Sequence, residues 1–217
     1  MRVLTRALAT LGLAALAGAT SLSAQNAGVG SHRFYVGASG GMMDFSTTAQ
    51  TRGAIPMGGV NALITANRAA LLVAIDAGIG SGEVAAFNDP VDGTIRNVTF
   101  DHIMRYYFEL VAYPLKSHFQ PFFGIGLGIQ TLSNLQVQGS FIDDVTRQAN
   151  YNRAQDLAST AYAQAIAGVE VRAGIVNIFA SGSAASAASS ADLIQGAVYT
   201  LQGGLRISLG KSRDDID

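Results

Sequence analysis

The sequence predicts an all-β chain whose strands close into an eight-stranded antiparallel up-and-down transmembrane barrel. Three observations predict it. The chain opens like an exported protein, yet no later apolar run is long enough for a spanning helix. Segment after segment alternates with a period of two, one face continuously apolar and the other charged or small. The connections between these segments alternate between short and long.

The first element is a leader. Arg2 and Arg6 precede an apolar stretch from Ala7 to Ala19, and "TSLSAQ" then offers small residues for cleavage. Cleavage after Ala24 divides the chain into a signal peptide, 1–24, and a barrel domain, 25–217; a cut after Ala19 is the alternative. Of the 217 residues, 49% are hydrophobic and only 13% charged, with a net charge of −1. That balance leaves no electrostatic footprint for nucleic acid. The absence of cysteine removes disulfides, thiol catalysis and Cys-type zinc sites. No cofactor or metal site is expected. An apolar, exported chain without a spanning helix can still cross a membrane as a closed barrel, because all its backbone groups then pair between strands.

Eight strands follow in order, at about 33–46, 54–66, 69–86, 95–113, 121–138, 157–173, 175–189 and 196–210. In the first, Phe34, Val36, Ala38 and Met42 oppose Arg33, Tyr35 and Ser39. The second and seventh alternate less cleanly. In the third, Leu71, Val73, Ile75 and Ile79 oppose Asp76, Gly78 and Gly80. In the fourth, Phe100, His102, Met104, Tyr106, Phe108 and Leu110 oppose Asp101, Arg105, Tyr107 and Glu109. In the fifth, Phe123, Ile125, Leu127 and Ile129 oppose Gly124, Gly126 and Gly128. Glycine weakens a strand, so three on one face need a reason. A narrow barrel supplies it: its interior is filled by side chains, and small residues make room for long ones on the neighbouring strand. In the sixth, Ala161 to Val171 oppose Tyr162, Gln164, Glu170 and Arg172; in the eighth, Tyr199, Leu201, Leu205 and Ile207 oppose Thr200, Gln202 and Arg206. "ANR", "PLKSHFQ" and "GIV" are short connections, while Gly139–Asp156 is the longest, a solvated loop open to partners.

In this pattern the chain resembles the small eight-stranded outer-membrane β-barrels, the group that includes the OmpA barrel and the OmpX-like and OmpW-like proteins. The stretch "YPLKSHFQPFFGIGLG" is similar to their strand–turn–strand units. Gln202, Gly204, Ile207 and Leu209 fit the spacing of the group's C-terminal assembly signal, although Leu209 stands where an aromatic residue is usual and a polar tail follows. The resemblance implies outer-membrane lipid and lipopolysaccharide as surroundings, and the barrel-assembly machinery as a partner.

By parity the inward set is Arg33, Asp76, Asp101, Arg105, Glu109, Glu170, Arg172 and Arg206, a charge network in a mostly polar interior. His32 and His118 fall near strand ends and are expected to be solvated. His102 instead points outward, and hairpin folding brings it opposite Ser133 and near Ser81 and Glu83. A base, a nucleophile and an orienting carboxylate at the outer leaflet would suit a lipid A-modifying hydrolase. The plain expectation is a polar girdle, and no enzyme. The leading functional expectation is a structural or surface-contact role carried by the outer loops. The alternatives are an OmpW-like narrow conduit for small or hydrophobic solutes, the hydrolase, and a soluble lipocalin-like barrel with its apolar face inside. "GIGLG" lacks the spacing of a dinucleotide fingerprint.

Overall fold

The computed structural model describes residues 33–50, 53–115, 117–188 and 192–209. The predicted leader, His32 and the polar tail after Leu209 lie outside them. Among the described residues nine strands follow in order: β1 (Arg33–Thr47), β2 (Gly53–Ala66), β3 (Ala69–Asn88), β4 (Ile95–Ala112), β5 (Phe119–Ser133), β6 (Gln136–Val137), β7 (Ser159–Ala173), β8 (Val176–Ala188) and β9 (Ile194–Ser208). One helix, α1 (Asp144–Asp156), lies between β6 and β7. Every neighbouring pair is antiparallel, and the sheet closes because β1 pairs β9 and β3 pairs β4. The two-residue β6 continues the β5 register beyond Asn134, so the fifth predicted strand corresponds to β5 and β6 together.

The period-two reading holds over the middle of the wall. Leu110, Ile125, Leu127, Leu201 and Leu205 face outward and are exposed; Asp76, Arg105, Glu109, Glu170 and Arg206 face inward and are buried. The inward glycines of β5 have the predicted cause. A Cβ on Gly126 would run into the Phe108 carbonyl oxygen and the Glu109 side chain, and one on Gly128 into the Tyr162 ring. Glu109 and Tyr162 therefore lie across the space that the β5 glycines leave.

Near the long-loop end the alternation breaks. The β3–β4 register shifts between Ile79 and Glu83, with Gly82 at φ +78°. Glycine adopts that conformation at no steric cost, and an extra residue in one strand changes which side the following residues face. Below the shift Gly78 faces inward beside Ile55 and Met43; above it Ala85 and Phe87 are the buried residues of β3, and Val98 and Phe100 those of β4. Phe100, expected to face outward, is wholly buried.

The interior is two-part, which corrects the expectation of a mostly polar lumen. Charged and amide side chains run through the middle and the short-turn half, interleaved there with buried Tyr35, Leu63, Leu72, Val111, Tyr113 and Phe122. At the long-loop end Met43, Phe45, Ile55, Phe87, Val98 and Phe100 are buried together, with Phe45 and Phe100 rings 6.1 Å apart. Here the alternation is inverted: Phe45, Val98 and Phe100 are buried, while the intervening Asp44, Ser46, Asn97 and Thr99 are polar and less buried.

The long connection is also ordered, which corrects the reading of 139–156 as a plain solvated loop. Asp143 caps α1 by accepting a hydrogen bond from Thr146 N at 2.7 Å; Asp144 sits in the first turn and Arg153 in the last, both favourable to the helix dipole. Ala154 and Asn150 are the buried residues of α1. Leu157 continues the chain into the apolar cluster, where its carbonyl accepts from Leu193 N at 3.3 Å.

Candidate functional site

The buried polar core is assembled from facing strands. Glu170 on β7 accepts from Arg206 Nη1 at 2.9 Å, Arg172 Nε at 3.2 Å, Asn177 Nδ2 at 2.9 Å and the Tyr113 hydroxyl at 3.3 Å. Arg206 also donates from Nε to Asn61 Oδ1 at 2.8 Å, and its guanidinium lies 3.9 Å from the Phe179 ring centre. A second group sits deeper. Arg105 donates to Gln164 Oε1 at 2.6 Å, and Gln164 Nε2 donates to Glu109 Oε1 at 2.6 Å, so one carboxamide bridges the two charges. Arg105 also lies 4.6 Å from the Tyr162 ring centre, and Tyr107 donates to Asp76 Oδ2 at 2.8 Å. Burying a charge is costly unless it is paired and hydrogen-bonded. The Glu170–Arg206 group meets that condition, while Asp76 Oδ1, Arg105 Nε and Glu109 Oε2 have no hydrogen-bond partner among the described residues.

Of the eight residues expected in the inward charge network, Asp76, Arg105, Glu109, Glu170 and Arg206 are buried there, and Arg172 reaches Glu170 from a half-exposed position. Arg33 stands at the short-turn mouth, where its backbone exchanges hydrogen bonds with the Thr65 hydroxyl. Asp101 is not part of the cluster. It lies in the β3–β4 irregularity, half-buried, and accepts from the exposed Asn134 amide. The neutral links Asn61, Gln164 and Asn177 were not singled out from sequence; their signal is a polar residue at inward parity on an otherwise apolar strand.

The four residues of the hydrolase reading are not brought together. His102 and Ser133 are cross-strand partners on β4 and β5. Glu83 faces the other side: the register shift turns it inward, where its carboxylate lies beside the Gly53 backbone near the Phe45 ring. Ser81 lies in the irregularity itself, and its side chain is outside the described residues. Of the assembly-signal residues, Gln202 is buried in the interior, Gly204 packs under the Phe179 ring, and Ile207 and Leu209 face outward.

At the long-loop end a polar clasp ties α1 to the β3–β4 hairpin. Asp89 is buried and accepts from Val91 N at 2.8 Å and Arg96 Nε at 2.9 Å, and the Asn150 side chain of α1 bonds to it as well. Arg96 donates onward to the Ser140 carbonyl at 3.0 Å and stacks 4.9 Å from the Phe141 ring centre. Desolvation alone would raise the Asp89 carboxyl, but the hydrogen bonds from Val91, Asn150, Arg96 and the Asp92 backbone outweigh it, and its pKa falls below the ordinary 3.8. A depressed folded pKa stabilises above the unfolded value and is lost as pH falls through the folded one. The clasp therefore holds from neutrality down past pH 3.8 and opens only in stronger acid. Arg96→Ala removes its centre. In that variant trypsin is expected to cut after Arg147 and Arg153 at least tenfold faster than in the wild type, while the barrel stays intact, because cleavage follows local opening.

The sequence matches no protein-family model and no curated protein. Among solved structures, the chain is similar to Neisserial surface protein A, with 11% identity and a TM-score of 0.54 over 80% of this chain and 96% of that one. It is also similar to the outer membrane protein OprG from Pseudomonas aeruginosa, with 14% identity and a TM-score of 0.50 over 83% and 98% of the two chains. The shared feature is the fold, the closed eight-stranded antiparallel barrel of small outer-membrane proteins.

Proposed function

We propose that the protein is an integral outer-membrane β-barrel that holds an ordered cap of loops at the cell surface, and that this cap is where it meets an external partner. The observation that carries the reading is the inverted surface. Leu110 is 65% and Ile125 71% exposed, while Glu109 and Glu170 are wholly buried. In water such a wall is an aggregation hazard; in a bilayer it is the ordinary lipid face. The same inversion argues against the soluble lipocalin-like alternative, which needs those side chains inside.

The surface role rests on the cap. The clasp through Asp89 and Arg96 fixes its geometry, so it presents one surface instead of a mobile loop. Ile142 is 95% exposed at its tip, with Val91, Ile95 and Val145 also exposed. Exposed apolar residues held together on a rigid support mark a contact surface. The conduit alternative has one observation on its side, the apolar lining of the loop-side interior. That lining is filled by its own side chains, with Leu157 and Leu193 buried in the same cluster. The assembly machinery and lipopolysaccharide belong to the same proposal, as what delivers and surrounds the barrel.

The test uses the absence of native cysteine. Ile142→Cys on intact cells is expected to react with a membrane-impermeant maleimide, and His118→Cys only after the envelope is opened. The reverse labelling would place the cap on the wrong side and end the surface-contact reading.

A further inference from the structure

We propose that the short-turn mouth of the barrel is a binding site for a phosphodiester that carries a neighbouring hydrogen-bond donor, the chemistry of a phospholipid headgroup such as phosphoethanolamine. The site is a concavity of about 550 Å³ lined by Arg33, Ser117, His118, Gln120, Arg172 and Ile175. It rests on the membrane reading only for the source of its ligand.

The cations come first. Arg33 and Arg172 are always charged, and a guanidinium offers five N–H donors in a planar fork that matches phosphate oxygens. Arg172 gives only its Nε to Glu170, at 3.2 Å, and its position is held by the Tyr113 ring 5.6 Å away and by its backbone N–H, which donates to the His118 carbonyl at 2.9 Å. The acid beside the site, Glu170, is wholly buried and already shared between Arg206, Arg172, Asn177 and Tyr113. Among the described residues the charge left facing the mouth is positive. The opposite end of the barrel carries Asp89, Asp92, Asp143, Asp144 and Asp156 against Arg96, Arg147 and Arg153. The short-turn mouth is the better place for an anion.

Gln120 narrows the ligand. It is only 6% exposed, and its Oε1 has no hydrogen-bond partner among the described residues. A buried acceptor left unmatched is costly, and a phosphodiester oxygen cannot satisfy it. An ammonium or hydroxyl next to the phosphate can, while the phosphate itself lies between the two arginines. Ile175 supplies the last feature. It lines the same concavity from the β7–β8 turn and is exposed, next to the outward apolar face that begins with β8. A ligand whose polar head sits in the mouth can therefore lay an apolar tail directly along the barrel.

The test uses the full barrel folded in uncharged maltoside micelles, with folding checked by its boiling-dependent gel mobility. Arginine Nε–Hε NMR signals are followed while short-chain phosphatidylethanolamine, inorganic phosphate or acetate is added. The expected result is saturable movement of the Arg33 and Arg172 signals with the phospholipid, and weaker binding of the other two. Arg33→Gln and Gln120→Leu are each expected to weaken phospholipid binding about tenfold, a loss of about 1.4 kcal/mol. Where one variant fails to fold, the other carries the comparison. Phosphate binding as tight as the phospholipid, with no effect of Gln120→Leu, would overturn the headgroup assignment. No saturable movement in a barrel that keeps its gel shift would overturn the site, and would do so without touching the membrane reading.

Discussion

Glu170→Ala is expected to destabilise the barrel by about 3–5 kcal/mol, the cost of leaving a buried partner charge uncompensated. Arg206 is buried, and its side chain meets Glu170 at 2.9 Å and Asn61 at 2.8 Å. Removing the carboxylate leaves Arg206 a single neutral acceptor and the Phe179 ring. It also frees Arg172, Asn177 and the Tyr113 hydroxyl from their shared acceptor at one stroke. The measurement is urea unfolding in lipid vesicles, read by the folded and unfolded bands on a gel. A companion variant separates charge from packing. Glu170→Met combined with Arg206→Met removes both charges with similar volume, and is expected to recover most of the loss, since apolar replacement of a whole buried pair is often neutral or stabilising. If the single change costs under about 1 kcal/mol, the value typical of an exposed pair, the lumen cluster is solvated and the picture of a packed interior fails.

Gly126→Val is the second large effect, a loss of about 3 kcal/mol from overpacking. The reason is local and rigid. Gly126 is the register partner of Glu109, and any Cβ there meets the Phe108 carbonyl oxygen, a ladder group that cannot move without breaking pairing in the wall. The Glu109 side chain that covers the site would also have to leave its 2.6 Å bond with Gln164. Gly182→Ala is the control. A Cβ at Gly182 has the Thr200 carbonyl oxygen at 3.6 Å, ordinary contact, and the change is expected to be nearly silent. Equal losses from the two substitutions would mean that strand glycine acts here through backbone freedom alone, and not through the space it leaves.

The strands were legible because lipid and lumen ask for opposite side chains. Where Leu110, Ile125 and Leu201 face out and Glu109, Gln164 and Gln202 face in, each residue states its side, and β1, β3, β4 and β7 start and stop close to their predicted bounds. The reading failed where that contrast inverted. Phe45 and Phe100 face an apolar compartment inside and would suit the lipid side equally well. Nothing in their identity tells the two apart. The irregularity that turned Phe100 and Glu83 inward depends on Gly82 at positive φ, and the strands hold many glycines that sit in ordinary extended conformations. The helix α1 escaped for another reason. Its first turn carries an Asp143 cap and Asp144, both visible in the sequence, but only Asn150 and Ala154 are buried, so no apolar stripe marks it as helical. The charged members of the cluster were visible as charge at inward parity. Its neutral links were not, because an asparagine or glutamine on that face reads equally well as a filler of the lumen.

The most direct test of the inverted barrel is the gel mobility of the protein taken from the isolated outer-membrane fraction, with and without boiling in detergent. The expected result is recovery in that fraction and a mobility change on boiling, as a closed, fully paired wall gives way to an extended chain. A protein recovered soluble from the periplasm, with the same mobility either way, would contradict it. The apolar face of Leu110, Ile125 and Leu201 would then have to be covered by something other than lipid.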